Sequence, residues 1–166
     1  MERSCELEGD YRYVLRIPVS EAGKKVLIVM LNPSTADAAS DDTTTRNLKK
    51  WAKQNRVGWV VIVNLYAYRS SSHAGLAALS EAKAVGVKNS KAIVRAAAEC
   101  DEVIVAWGNP PAFRAAEEFE RRVAKVLQAI RKVHATIYCL GTTRGGHPFH
   151  PRYWYIMPTR RKVVFA

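Results

Sequence analysis

No long apolar run interrupts this sequence of 166 residues. None of its stretches approaches the ~20 apolar residues that a membrane-spanning helix needs. Residues 1–13 also lack the apolar core of a secretory leader, so a soluble chain is expected, with no membrane partner. Cysteine is scarce. Cys5, Cys100 and Cys139 are odd in number and far apart, which argues against a disulfide framework, and the latter two adjoin apolar runs. They read as buried free thiols of a reducing compartment, and a cytoplasmic location is expected. The histidines are His73, His134, His147 and His150, and no His or Cys pair has zinc-ligand spacing with a second pair to complete it. There is no phosphate-binding Walker loop, no Gly-x-Gly-x-x-Gly fingerprint and no Gly-x-Ser-x-Gly elbow. Neither a metal nor a cofactor is expected. Acidic residues are also in deficit: 15 Asp and Glu face 26 Lys and Arg, a net charge of +11. Folding does not require such an excess, whereas association with a polyanion profits from it through counterion release, which points to nucleic acid.

What is present has a regular order. Four short, nearly continuous apolar runs, Val26–Leu31, Trp59–Leu65, Glu102–Trp107 and Ala135–Leu140, suit strands covered on both faces. Between them lie segments of helical spacing. In Asp42–Arg56, residues Leu48, Trp51 and Ala52 form one stripe, with Asp41 or Asp42 placed to cap it. Asn89–Ala98 and Ala112–Val133 are the other two, the latter repeating Phe119, Val123, Val126, Leu127 and Ile130. Strands alternating with helices call for a parallel sheet with right-handed crossovers. Tyr11–Pro18 alternates weakly and is a candidate edge strand; Arg160–Phe165 reads as another strand or as a basic tail. No linker or repeat divides residues 1–166, so one α/β domain is expected, and as a monomer.

In open α/β sheets ligands bind beyond the carboxyl ends of the strands. There the chain places Asn32-Pro33-Ser34 with Asp37 and Asp42, then Asn64 followed by Tyr66, Tyr68 and Arg69, then Trp107-Gly108, and finally His147-Pro148-Phe149-His150-Pro151-Arg152. Each motif alone is compatible with a turn or a packing role. Together they empty polar, aromatic or Gly/Pro residues onto one rim at all four strand ends. Gly145 and Gly146 precede the stiff His147–Pro151 segment, which is expected to bring His150, and not His147, within reach of Asn32 and Asn64.

The ordered set resembles the uracil-DNA glycosylase superfamily. Leu31-Asn32-Pro33-Ser34 is similar to its Gly-x-Asp/Asn-Pro motif, Val61–Asn64 to its second-strand segment ending in a base-reading Asn, Trp107-Gly108 to its third-strand motif, and His147-Pro148 or His150-Pro151 to its late His-Pro-Ser loop. The likeness spans about residues 24–153. More closely, Met30–Asp37, Asp42, Asn64-Leu65, Arg69, Trp107-Gly108 and His150-Pro151 resemble a bacterial and phage family described as a domain of unknown function. The resemblance implies a three-layer sandwich with a four-stranded parallel sheet, in which the four runs take the order 2-1-3-4 between helices on both faces. It also implies roles. Asn64 would read a nucleobase flipped out of DNA, and Tyr66, Tyr68 or Trp107 would stack on it. Asn32, assisted by Asp37 or Asp42, would position a water. His150 would donate to the departing base, and Phe149 and Arg152 would enter the groove. Pro33, Ser34, Arg69 and Gly108 would complete the binding surface. Asn32 replaces the Asp of the uracil enzymes, and an amide orients a water without accepting its proton. Arg152, in turn, stands where the serine would follow His150-Pro151. The expected function is thus a nucleobase-directed, DNA-binding hydrolase of the N-glycosidic bond of a deaminated or modified base. The alternative is a non-catalytic nucleotide or modified-base binding module.

Overall fold

The protein is described from a computed structural model covering residues 2–34, 36–70, 73–112, 114–156 and 162–165. Among these residues the frame is a mixed seven-stranded sheet in the order β1-β2-β4-β3-β5-β6-β7. The strands are β1 (Ser4–Glu8), β2 (Tyr11–Pro18), β3 (Lys24–Met30), β4 (Val57–Asn64), β5 (Glu102–Val105), β6 (Tyr138–Cys139) and β7 (Val163–Val164). The helices are α1 (Thr43–Gln54), α2 (His73–Ala77), α3 (Glu81–Val85), α4 (Asn89–Ala98) and α5 (Ala116–Arg131), with a 3-10 helix over Pro151–Ile156.

The expectation of a four-stranded, wholly parallel sheet is corrected. Parallel pairing holds for β4 with β3, β3 with β5, and β5 with β6, but antiparallel strands extend the sheet on both sides. The physical reason lies in β2, which is a buried strand along nearly its whole length and not a loose edge. Tyr13, Val14, Leu15 and Ile17 are all core residues, and β2 pairs with β4 through Leu15 and Ile62. Gly9 and Asp10 then form a two-residue turn that brings β1 back along β2, with Gly9 at φ 54° where a side chain would be strained. The fourth apolar run forms a strand only at Tyr138–Cys139.

Side-chain alternation sorts the interior strands into two cores. From β3, Val26, Ile28 and Met30 pack with Leu48, Trp51 and Ala52 of α1 and with Trp154 of the 3-10 helix. Leu27 and Val29, with Leu31 just beyond, pack with Ala92, Ile93, Ala96 and Ala97 of α4 and Phe119, Val126 and Ile130 of α5 on the other face. Helix α1 starts where the sequence places it: the Asp42 side chain accepts a hydrogen bond from the Thr45 amide at 2.7 Å, satisfying an orphan donor of the first turn. Cys100 and Cys139 are buried and Cys5 is half-buried. No helix among the described residues is long and apolar enough to cross a membrane.

Candidate functional site

Parallel pairing brings the carboxyl ends of β3 and β4 side by side, with Met30 opposite Asn64. The loops that follow are tied together by backbone bonds. The Leu65 and Tyr66 amides donate to the carbonyls of Met30 and Leu31, and the Ser70 amide to that of Pro33. From the far side, the Gly108 amide donates to the Pro148 carbonyl at 2.9 Å, joining the loop after β5 to the one after β6. Gly108 sits at φ 81°, a left-handed conformation that strains any other residue, and its Cα faces the Cβ of His150.

Two adjoining chambers open at this rim. The smaller, about 150 Å³, is lined by Arg12, Asn32, Ser34, Asp42, His150 and Arg152 over a floor that includes Met30 and Ile62. The larger, about 330 Å³, is lined by Trp107, Gly108, Phe149 and Tyr153 with Pro110 and Pro111. Asn32, His150 and Arg152 belong to both and form the wall between them.

The Asn32 amide nitrogen donates to the carbonyls of Pro33 and Ser70, at 3.1 and 3.0 Å. Both donors are therefore committed, and the acceptor oxygen is what Asn32 has left to offer a ligand or a water. Burial alone would raise the Asp42 carboxyl. Hydrogen bonds from the Ser34 hydroxyl and the Thr45 amide, with the positive field of Arg12, outweigh that and hold it below its ordinary value. Asp42 is thus an anion. His150 is pushed down to about 4, mainly by burial and secondly by the Arg152 charge. It is neutral at pH 7, and its Nδ1 accepts the Arg152 amide at 3.2 Å, which leaves the ring proton on Nε2 as a donor.

The low His150 value carries a stability consequence with a definite sign. The unfolded chain takes up this proton near 6.5 and the folded chain only near 4, so His150 favours folding above pH 6.5 and that contribution is lost as pH falls towards 4. Between pH 6.5 and 4.5 the thermal midpoint of the wild type is expected to fall more steeply than that of His150→Asn. Parallel curves would contradict this assignment.

Other residues expected at the site line neither chamber. The Asp37 carboxylate accepts from the Ala39 and Ser40 amides and from the Ser40 hydroxyl, closing a local turn, and lines neither chamber. Pro33 is buried, and its contribution is its carbonyl. Tyr66 is fully buried in the core on the α4 and α5 side because Leu65 and Tyr66 both turn into that cluster, breaking the alternation of the strand. Its hydroxyl is pushed up to about 12, by burial first and then by the Glu118 charge. Tyr68 packs edge-on against Tyr11, and the Arg69 amide is held by the Asp10 carbonyl. Asn64 lines neither chamber, yet its side chain is fully buried and neither amide atom has a hydrogen-bond partner. It follows Ile62 by two residues and is paired with Met30, which places it on the face that floors the smaller chamber. His147 lies on the opposite side, edge-on to Phe119 and 3.9 Å from the Glu120 carboxylate.

Sequence reasoning missed Arg12. It is 3% exposed, lines the smaller chamber and donates to the Ala36 carbonyl at 2.6 Å. Asn89 was missed as well: fully buried at the start of α4, it donates to the carbonyls of Asn64 and Leu65 and fixes the end of β4. Among the described residues no cluster of three or more His, Cys, Asp or Glu side chains is placed to hold a metal.

The geometry defines an α/β protein with a polar site at the carboxyl end of its parallel strands. The chain belongs to the family described as "Protein of unknown function (DUF1643)", which matches residues 12–152. No curated protein and no solved structure matches it significantly. The likeness to the glycosylases is one of sequence motifs alone.

Proposed function

We propose that this protein is a nucleobase-directed, DNA-binding enzyme that hydrolyses the N-glycosidic bond of a deaminated or modified base. The observation that carries this reading is the shared wall: Asn32, His150 and Arg152 stand between a small polar chamber and a larger aromatic one. A base in the small chamber and its sugar in the larger one would set the glycosidic bond at that wall. The small chamber is well below the ~300–1,000 Å³ of drug-sized sites and suits a single ring. Asn64, a buried amide lacking both partners, lies on the face beneath this chamber without lining it, so its base-reading role rests on the motif resemblance.

In this reading the Asn32 oxygen orients a water towards the anomeric carbon. The C–N bond breaks with its electron pair leaving on the base, and the water oxygen bonds to the sugar. His150 Nε2–H donates to the base oxygen on which charge develops, and the Asp42 anion, on the base side of the wall, acts on the cationic sugar through its field. The water's proton passes to solvent, and the released base takes one up. The alternative of a binding module is favoured by one observation: both Asp42 oxygens are already engaged, by the Ser34 hydroxyl and the Thr45 amide, and Asn32 cannot accept a proton. Asn32→Ala separates the two readings. An enzyme loses turnover while keeping its affinity for DNA, and a binding module shows no turnover to lose.

Binding to DNA is expected to weaken steeply with salt, given the net charge of +11. With about four phosphates contacted, affinity should fall ~10²-fold between ~50 and ~200 mM salt. Exposed Lys53, Arg144 and Arg152 are cations suited to this; Lys49 is engaged by Asp41 at 2.9 Å, and Arg160 and Arg161 lie outside the described residues. A flat titration would contradict a phosphate-dominated mode.

A further inference from the structure

Arg12 stands apart from every other charged group at the rim. Its side chain is almost wholly buried, it lines the smaller chamber, and its Nε has no hydrogen-bond partner. One terminal nitrogen is held by the Ala36 carbonyl. No carboxylate among the described residues comes within ion-pair distance of it; Asp42 acts on it only through space. A buried guanidinium without a contacting counter-ion is costly, and a bound anion removes that cost. The chamber holds the charges to do so. Arg12 and Arg152 face Asp42 alone, and Asp42 is already covered by the Ser34 hydroxyl and the Thr45 amide. Thr44 is a further hydroxyl-bearing residue of the lining.

We infer that the smaller chamber recognises an oxyanion, with Arg12 as the specificity-determining residue that requires negative charge on the group seated there. The inference rests on the base-directed reading in one respect: the oxyanion is then an acidic substituent carried by the base. The other source of the same chemistry is a phosphate. A guanidinium fork pairs with two oxygens of either, and a charge-assisted pair is roughly twice as strong as a neutral one. A neutral ring of the same outline leaves Arg12 uncompensated.

The test compares thymidine with 5-carboxy-2′-deoxyuridine, similar in outline at ring position 5 but neutral and anionic respectively, with orthophosphate as a third probe. Binding is measured by calorimetry at constant ionic strength, on the wild type and on Arg12→Met. The wild type is expected to bind the carboxylated nucleoside ~10- to 100-fold more tightly than thymidine. In Arg12→Met that ratio should collapse towards one while thymidine affinity changes little. A residue that only braced the Ala36 loop would weaken both nucleosides together. Orthophosphate that competes as well as the carboxylated nucleoside assigns the anion to a phosphate; failure to compete assigns it to the base. Should Arg12→Met not fold, the wild type still decides through the Arg12 Nε–H resonance, which should shift with the carboxylated nucleoside or phosphate and not with thymidine. A wild-type ratio near one, with that resonance unmoved by either anion, would overturn the inference, as would a ratio unchanged in Arg12→Met. Anion binding without excision of any base would sink the enzymatic reading and leave this one standing.

Discussion

Trp154→Ala is expected to destabilise the protein by about 3–5 kcal/mol, the range for deleting a large buried aromatic side chain. Trp154 is fully buried, its ring lies 5.0 Å from that of Trp51 on α1, and its indole nitrogen donates to the Phe149 carbonyl at 3.2 Å. The ring therefore docks the 3-10 helix on the α1 face, and the indole N–H holds the backbone just before His150. Losing the ring leaves a cavity between the sheet and the segment that carries both His150 and Arg152. Trp154→Phe keeps most of the packing and loses the hydrogen bond, at a cost nearer ~1 kcal/mol for the bond itself. Chemical denaturation of the three proteins checks the order. Equal midpoints for Trp154→Ala and the wild type would show that this segment is not anchored through the core.

His150→Ala is expected to lower turnover on an excised base by ~10²- to 10³-fold, the usual consequence of removing one donor aimed at a developing oxyanion. His150 meets the requirements for that donor. It is neutral at pH 7, with its Nδ1 occupied by the Arg152 amide and Nε2–H left to donate, and it belongs to the wall shared by the two chambers. His150→Gln should recover part of the loss, because an amide can donate from a similar place. His147→Ala should leave turnover within about twofold, since His147 lies against Phe119 and Glu120 and away from both chambers, and most substitutions outside a site are nearly neutral. A single-turnover comparison of the three variants reads this directly. If His147→Ala were as damaging as His150→Ala, the donor assignment would be wrong.

The sequence carried the parts of this arrangement that depend on local chemistry. Asp42 is a short carboxylate before a stripe of apolar residues, and it caps α1. The helical segment Asn89–Ala98 has the bounds that its small-residue spacing implies. Asn32, Ser34, Asp42, His150 and Arg152 are brought together from loops more than a hundred residues apart, because parallel strands expose their carboxyl ends on one edge. What was hidden depended on long-range packing. The two-residue Gly9-Asp10 turn signals a hairpin, but β1 is too short and too polar to announce itself before its partner is known. Arg12 reads as an edge-strand cation until β1 and the loop through Ala36 bury it. Asp37 and Tyr66 lie near the motifs in sequence, yet a local turn takes up the first and the opposite core the second. Nearness along the chain does not fix which face of the sheet a side chain joins.

The most direct test of the enzymatic reading is incubation of the protein with a panel of oligonucleotides, each bearing one deaminated, oxidised or carboxylated base, followed by alkali and separation by size. Strand scission is expected at the position of at least one such base, with release of the intact free base, and its loss in Asn32→Ala while DNA binding persists. Unbroken strands across the panel, under conditions where the protein binds the same DNA, would contradict it.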